Sequence, residues 1–311
     1  MIYILRSDFP DQANWYHDFS ENLYKGLQAL KADVGMLGGP GVIDRYVTKD
    51  DYLFVTHYKH LDELSVRQTR AKIIFHHHGS GVSPYTHWID KKAELDHICN
   101  VIDIHTFCMP TQEKLIREKY PIINKGTTIG FPMDLEKFKL MWGKGLSKKK
   151  KIVVAGHIGP ERNFYLATFL LKDLIPEYEV IFSIVEKPDC VTGKWSTFYD
   201  LERFIDMGFR FAFHPDQVGY YQELQDASHV FTCSLGDTFS VSILEGYLCC
   251  CNPVVPDIQN YWPMYRDYIG LGYEPFSKYQ VEGFIRNSCT PEVDLDWFKL
   301  ELVAKRLLGV L

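Results

Sequence analysis

Strand-like apolar runs alternate with amphipathic, helix-like segments along almost the whole chain, and this alternation constrains the fold more than any other feature. Such a pattern is typical of a parallel sheet covered by helices. In the first half it predicts strands at 2–5, 33–37, 52–56, 72–76, 101–107 and 127–129, and helices at 15–31, 60–70, 89–98 and 111–119. In the second half it predicts strands at 151–156, 179–185, 209–213, 229–233 and 253–256, and helices at 162–174, 198–206, 217–226, 239–249 and 260–268.

The alternation is interrupted once, in the middle of the chain, and then starts again. Gly143 and Gly145 lead into the basic run Lys148–Lys151, after which a new buried strand begins. We therefore predict an N-terminal Rossmann-like domain at 1–145, a C-terminal one at 146–293, and a terminal helix at 294–311 that packs back on the first domain. In such α/β sheets, ligands bind beyond the carboxyl ends of the strands. Two domains of this class predict a cleft between them.

Composition excludes several other classes of protein. The chain has 311 residues, of which 46% are hydrophobic and 24% charged, and no apolar run approaches the roughly 20 residues of a membrane span. The N-terminus does not fit a secretory signal, and eight scattered cysteines indicate free thiols in a reducing cytoplasm, that of a host if the chain is viral. The net charge of −6 argues against a broad nucleic-acid surface, so the four lysines are interpreted as a solvated turn.

The segment 234–256 carries two acids that fit the ends of an elongated ligand. Asp237 and Glu245 are separated by a helix-compatible stretch, and a Pro-Val-Val strand follows. A helix that starts near Thr238 would offer free N–H groups and its positive dipole end to an anion. Eight residues of helix rise span about 12 Å, which suits the sugar, diphosphate and ribose of a nucleotide-sugar. The alternative is an ordinary amphipathic helix with an Asp near its cap.

Four segments in order resemble one large enzyme family. They are Ile-Gly-Phe-Pro-Met-Asp-Leu-Glu-Lys-Phe (129–138), Ala-Gly-His-Ile-Gly-Pro-Glu-Arg-Asn (155–163), Tyr-Tyr-Gln-Glu-Leu-Gln-Asp-Ala-Ser-His-Val-Phe-Thr-Cys-Ser (220–234), and the acidic segment 234–256. Together they resemble the GT-B retaining glycosyltransferases, the family of sucrose and glycogen synthases and of many bacterial mannosyl- and glucosyltransferases. The resemblance implies two Rossmann-like domains that face each other across a cleft.

The resemblance also implies roles for individual residues. Glu245 would bind the ribose hydroxyls, and Asp237 would lie beside the donor sugar, where the family has Glu. In the second-domain loop, Arg162 would clamp the diphosphate, and His157 stands where the family has Arg. The remaining donor-binding residues implied are Gly156 and the backbone N–H groups of Thr238, Phe239 and Ser240. No metal and no cofactor are implied, because the helix dipole and Arg162 would stabilise the departing diphosphate.

Several further features have more than one interpretation. His78 of the triplet His76–His78 is the candidate for contact with the donor sugar; these histidines could instead be structural, or His76 and His78 could chelate zinc. The turn 38–41 is a simple turn or a ligand loop, and loop aromatics at Trp15, Tyr85 and Trp88 either stack on an acceptor or pack. Cys249–Cys251 are interpreted as helix-core residues, and Asp294-Leu295-Asp296 as a helix cap rather than a metal motif.

The expected activity is transfer of a hexose or pentose, with retention, from a nucleotide diphosphate sugar, UDP- or GDP-linked, to an acceptor hydroxyl. The acceptor, a glycan, a small molecule or a modified DNA base, is not identified by the sequence, and neither is the oligomeric state. One alternative is a phage-type DNA glycosyltransferase that acts on a hydroxymethylated base. Another, from a different class, is a non-catalytic GT-B protein that binds a nucleotide or glycan.

Overall fold

The chain forms two compact units. The computed structural model describes residues 1–6, 15–56, 60–61, 71–77, 101–121, 123, 125–143, 147–155, 163–184, 201–214, 217–234, 240–257, 267–288 and 291–311. The first unit contains Met1–Asp134 and Asp294–Leu311, and the second contains Leu135–Val293. Within the described residues, each unit is built on a parallel sheet, so the predicted α/β class with two parallel sheets is confirmed. The assignment of the acceptor and the donor to separate domains stays a prediction.

The first unit contains six described strands, all parallel, in the order β2-β1-β3-β4-β5-β6. They are β1 Ile2–Leu5, β2 Val34–Leu37, β3 Tyr52–Val55, β4 Lys72–His77, β5 Ile104–Phe107 and β6 Gly126–Thr128. Its described helices are α1 Trp15–Ala29, α2 Ile43–Tyr46, which follows the 3-10 turn Pro40–Val42, and α3 Pro110–Lys119. Strand β4 is buried at every residue after Lys72, as expected for a parallel strand covered on both faces.

The second unit contains five described parallel strands in the order β11-β10-β7-β8-β9. They are β7 Lys149–Ala155, β8 Glu179–Ile184, β9 Arg210–Phe213, β10 Ala227–Phe231 and β11 Asn252–Val254. The described helices of this unit are α4 Leu135–Trp142, α5 Phe164–Leu171, which continues as the 3-10 turn Lys172–Leu174, α6 Leu201–Asp206, α7 Gln217–Asp226, α8 Val241–Leu248 and α9 Lys278–Arg286. One core cluster joins β7, β8 and β10 to α5 and α9 through residues such as Val154, Phe182 and Ile285.

The last segment of the chain packs on the first unit. The 3-10 turn Leu295–Trp297 precedes helix α10, Leu300–Leu308, which packs against α1. The helices approach so closely that a Cβ atom on Gly26 would lie 2.6 Å from the Leu300 carbonyl oxygen. Backbone hydrogen bonds from Phe131 N to Trp297 O and from Met133 N to Phe298 O, both 2.8 Å, fix the preceding turn. The C-terminal segment is therefore an integral layer of the first unit.

Most predicted elements are present, and their ends differ for local reasons. The first predicted helix ends at Ala29 because Lys31 adopts φ 58°, a left-handed conformation that stops a helix. Helix α5 starts after Asn163, whose side chain accepts a hydrogen bond from Leu166 N. Asp294 caps the turn that follows it, as predicted, by accepting from Asp296 N at 2.9 Å. The predicted helix 89–98, most of the helix at 60–70 and most of that at 260–268 lie outside the described residues.

The three consecutive cysteines do not share one environment. Cys249 and Cys251 are buried in the core, but the expectation that they belong to the helix is wrong, because α8 ends at Leu248. Burial raises the pKa of the Cys251 thiol to about 12. Cys250, however, is exposed, because it follows the end of α8 with φ 65° and turns away from the core.

Among the described residues, no helix combines the length and apolar character needed to cross a bilayer.

Candidate functional site

Glu245 lies on helix α8, which follows β10 in the second unit. A Cβ atom on Gly246 would lie only 2.5 Å from Val230 Cγ1, so the absence of a side chain there lets α8 pack directly on β10. Ser240, in an extended conformation, precedes the helix, and its side chain makes no capping hydrogen bond. Glu245 is buried, with an exposed fraction of 9%. A carboxylate held this firmly below the surface requires hydrogen-bond partners.

Tyr221 supplies one of these partners. Its hydroxyl donates to Glu245 Oε1 at 2.8 Å, from helix α7 to helix α8. The neighbouring Tyr220 is also buried, and its hydroxyl donates to the Ser242 carbonyl at 3.3 Å. Burial, and then the charge of Glu245, raises the pKa of Tyr220 well above its usual value. The sequence motif includes both tyrosines, but no spacing rule links a residue of one helix to another 24 positions further on.

The segments expected to hold the diphosphate and the sugar leave the sheet at adjacent positions. Strands β7 and β10 are neighbours, with Val154 opposite Phe231. The segment with Gly156, His157 and Arg162 follows β7 in the chain, and that with Asp237, Thr238 and Phe239 follows β10; these six residues lie outside the described residues. Their common origin at one sheet edge agrees with the rule for ligand sites in α/β sheets. Of the sites predicted in this unit, the structure describes Glu245 and Ser240.

The residues that directly follow β10 are held in place by side-chain contacts. The Tyr273 hydroxyl donates to the Thr232 carbonyl at 2.8 Å, and the Tyr273 ring stacks on Phe231 with centroids 5.7 Å apart. Ser234 N donates to Thr232 Oγ1 at 3.2 Å. Ser234 and Ser240, the described residues on either side of 235–239, are both buried. The described residues that precede 235 and follow 239 therefore belong to the buried part of this unit.

In the first unit, two residues of the histidine triplet, His76 and His77, are described, and they form the end of β4. The ring nitrogens of His76 lie 2.9 Å from Thr106 Oγ1 and 3.2 Å from Cys108 Sγ. His77 Nε2 lies 2.9 Å from His105 Nδ1. Both ring nitrogens of His76 are thus engaged, which disfavours its use as a zinc ligand. His78, the residue predicted to touch the donor sugar, lies outside the described residues, as do Tyr85 and Trp88.

The carboxamide of Gln112 bridges the ends of two strands beside these histidines. Gln112 Nε2 donates to the His77 carbonyl at 2.9 Å, while Cys108 N donates to Gln112 Oε1 at 2.7 Å. Gln112 is fully buried, and the pairing of β4 with β5 ends at His77 and Phe107. A side-chain amide therefore continues the hydrogen bonding of the sheet at the point where the chain leaves β4.

The buried pair of His105 and His77 predicts a loss of stability in acid. Burial, and then the nearby Arg117 charge, lowers the pKa of His105 to about 4, whereas an unfolded histidine titrates near 6.5. The unfolded state therefore binds the proton first, so this contribution to stability is complete above pH 6.5 and is lost as the pH falls towards 4. Between pH 7 and pH 5.5, we expect urea denaturation to show a loss of about 1 kcal/mol from this group. His105→Gln should have a correspondingly shallower pH dependence; equal slopes would contradict the assignment.

The four consecutive lysines are engaged within the second unit. The ammonium of Lys148 donates to the Cys249 carbonyl at 2.6 Å, and Lys149 pairs with Asp226 at 2.5 Å. Lys150 lies over the Tyr178 ring, and Lys151 pairs with Glu223 at 3.0 Å and with Asp226. The interpretation of this run as a solvated turn is therefore wrong for Lys148 and Lys151, whose charges have partners on α7 and at the end of α8. These contacts also disfavour the run as a surface for DNA.

The fold is that of known glycosyltransferases, although no protein-family model and no curated protein matches the sequence. HepE from Anabaena in complex with UDP superposes with a TM-score of 0.70 at 11% identity, over 99% of this chain and 98% of HepE. The catalytic domain of starch synthase IV from Arabidopsis thaliana, bound to ADP and acarbose, gives a TM-score of 0.67 at 9% identity, over 98% of this chain and 94% of that domain. AviGT4, a glycosyltransferase involved in avilamycin A biosynthesis, gives a TM-score of 0.61 at 12% identity, over 99% of this chain and 96% of AviGT4. The GT-B fold expected from the resemblance is confirmed.

Proposed function

We propose that this chain is a glycosyltransferase that moves a hexose or pentose from a nucleotide diphosphate sugar to an acceptor hydroxyl with retention of configuration. The observation that carries the proposal is Glu245, a buried carboxylate on the helix that follows β10. In this fold class, ligands bind beyond the carboxyl ends of the strands, where such helices begin. Structures of HepE with UDP and with UDP-glucose, similar over 99% of this chain, support a nucleotide-sugar as the donor.

The proposed chemistry depends on positioning and on electrostatic stabilisation. Glu245 would accept hydrogen bonds from the ribose hydroxyls, while Asp237 and the N–H groups of 238–240 would hold the sugar. Arg162, with His157 and Gly156, would stabilise the diphosphate as it departs, and His78 would contact the sugar from the first domain. Holding donor and acceptor together removes most of the entropic barrier to transfer. In this scheme the donor belongs to domain 146–293 and the acceptor to domain 1–145.

A panel of nucleotide-sugars tests the proposal. At a ligand concentration of 100 times Kd, binding should add about 2.7 kcal/mol to stability, which raises Tm by a few degrees for a chain of this size. We expect one or more of the UDP-, GDP- and ADP-linked sugars to do so, UDP-linked ones first. Labelled sugar should then be transferred to an acceptor or released by hydrolysis.

Each other outcome has a distinct meaning. Binding with neither transfer nor hydrolysis would identify a non-catalytic binding protein, an alternative that the residues Asp237 and His157 favour at positions where the family has Glu and Arg. Salt-sensitive binding to duplex DNA would favour the phage-type alternative. No Tm shift with any nucleotide-sugar, and no turnover, would overturn the proposal.

A further inference from the structure

The hydrogen bond between Tyr221 and Glu245 joins two buried side chains. The Tyr221 hydroxyl lies 2.8 Å from Glu245 Oε1, and the exposed fractions of the two residues are 8% and 9%. A tyrosine hydroxyl donates a hydrogen bond without adding a positive charge. A lysine or arginine in its place would neutralise the carboxylate and reduce its ability to accept from a ligand. Tyr221 therefore fixes Glu245 without itself adding a positive charge beside the carboxylate.

Aromatic packing in turn holds the ring of Tyr221. Phe138 meets it edge-on, with ring centroids 5.0 Å apart and planes at 83°. Trp142, one turn further along α4, lies at the same centroid distance with planes at 48°. Both contacts are of the kind that stabilise aromatic pairs. Since the ring is clamped between these residues and the core, the hydroxyl has a fixed position from which to orient the carboxylate.

We propose that Tyr221 is a positioning residue for ribose recognition: it orients the Glu245 carboxylate so that this group accepts hydrogen bonds from the ribose hydroxyls of the nucleotide. This inference rests on the proposed function of the same site. The two carboxylate oxygens offer about four acceptor positions, of which Tyr221 occupies one on Oε1. Without the Tyr221 hydrogen bond, the Glu245 carboxylate would be held less firmly in this orientation, and the ligand would have to supply part of the lost order, which weakens binding.

The effect should be specific to the hydroxyls of the ribose. Tyr221→Phe keeps the ring and its contacts with Phe138 and Trp142 and removes only the donor. A nucleotide without ribose hydroxyls makes no hydrogen bond to Glu245, so it should not respond to the loss of Tyr221. Tyr220→Phe is the matched control, because Tyr220 is buried on the same helix and its hydroxyl donates to a backbone carbonyl, that of Ser242.

Titration calorimetry with UDP, GDP and ADP first identifies the nucleotide that the unaltered protein binds most tightly. For that nucleotide we expect Tyr221→Phe to raise Kd about 5- to 10-fold and Tyr220→Phe to change it by less than about twofold. The 2′,3′-dideoxy counterpart, measured by competition, should bind equally to the unaltered protein and to Tyr221→Phe. In a Glu245→Ala background, adding Tyr221→Phe should cause no further loss, because the effect passes through Glu245.

Three results would overturn the role of Tyr221: unchanged affinity in Tyr221→Phe, an equal loss for the ribose and dideoxy nucleotides, or a loss that persists in the Glu245→Ala background. The second and third would identify Tyr221 as a residue of the core only. If the unaltered protein binds none of the three nucleotides, the proposed function itself fails. That outcome is measured on the unaltered protein alone, so it is distinct from a failure of the role of Tyr221.

Discussion

Glu245→Ala is expected to weaken binding of the nucleotide diphosphate about 100-fold, which corresponds to about 3 kcal/mol. The substitution removes a charged acceptor that would bind the ribose hydroxyls, and charge-assisted hydrogen bonds in a buried site contribute more than neutral ones. It also leaves the Tyr221 hydroxyl, 2.8 Å from Oε1, without this acceptor. Titration calorimetry with the best nucleotide of the panel measures the change.

Two further variants separate the charge of Glu245 from its structural role. Glu245→Gln keeps an oxygen that can accept from Tyr221, so it should preserve stability while it weakens nucleotide binding by an intermediate amount. Glu202→Ala, on the exposed side of α6 in the same unit, should change neither the stability of the protein nor its affinity for the nucleotide. Unaltered affinity in Glu245→Ala, with native stability, would refute the ribose-binding role.

Gly130→Ala is expected to reduce the free energy of unfolding of the protein by about 3 kcal/mol. Gly130 has φ 99°, a conformation that residues with a Cβ atom rarely adopt, and a Cβ atom there would lie 2.2 Å from the Trp297 carbonyl oxygen. That carbonyl accepts the hydrogen bond from Phe131 N. Since the neighbour is backbone, it cannot move aside as a flexible side chain could. Urea denaturation followed by circular dichroism measures the loss.

Gly41→Ala is the matched control for this strain. Gly41 lies in the same unit, in the turn Pro40–Val42, and a Cβ atom there would meet nothing within 4 Å. Its stability should stay within about 0.5 kcal/mol of that of the unaltered protein. If the two variants lost the same stability, the close approach of Gly130 to Trp297 would not be the cause.

The sequence predicts the sheets well because burial on both faces leaves a strong local signal. Strand β4 contains the apolar run Ile73–Phe75, and β7 contains the apolar run Ile152–Ala155. Helix ends are harder to predict: Lys31, after α1, adopts φ 58°, a left-handed conformation that Gly or Asn usually takes at a helix end. Lys148 and Lys151 carry no sign in the sequence that their charges would be paired with groups more than 70 residues away.

The candidate site was predictable in part. The resemblance of four ordered segments predicts Glu245 as a site residue, and its burial agrees with a binding role. The resemblance does not predict the contact of Tyr221 with Glu245, because this contact depends on how α7 and α8 pack on the sheet. Alternation along a strand predicts that the neighbours His76 and His77 have different surroundings, and this is confirmed. Their hydrogen-bond partners, Thr106 and His105, belong to β5, so the sequence of β4 does not identify them.

The return of α10 to the first unit affects the order in which the two units can fold during synthesis. Ribosomes release the chain from its N-terminus, and domains generally fold as units when their residues are available. The second unit has all of its residues once Val293 has emerged. The first unit starts earlier but still lacks α10, whose Val303, Ala304 and Leu307 complete the layer against α1. The unit that begins the chain is thus the last to acquire its full core, and until then the apolar face of α1 is a potential binding site for chaperones.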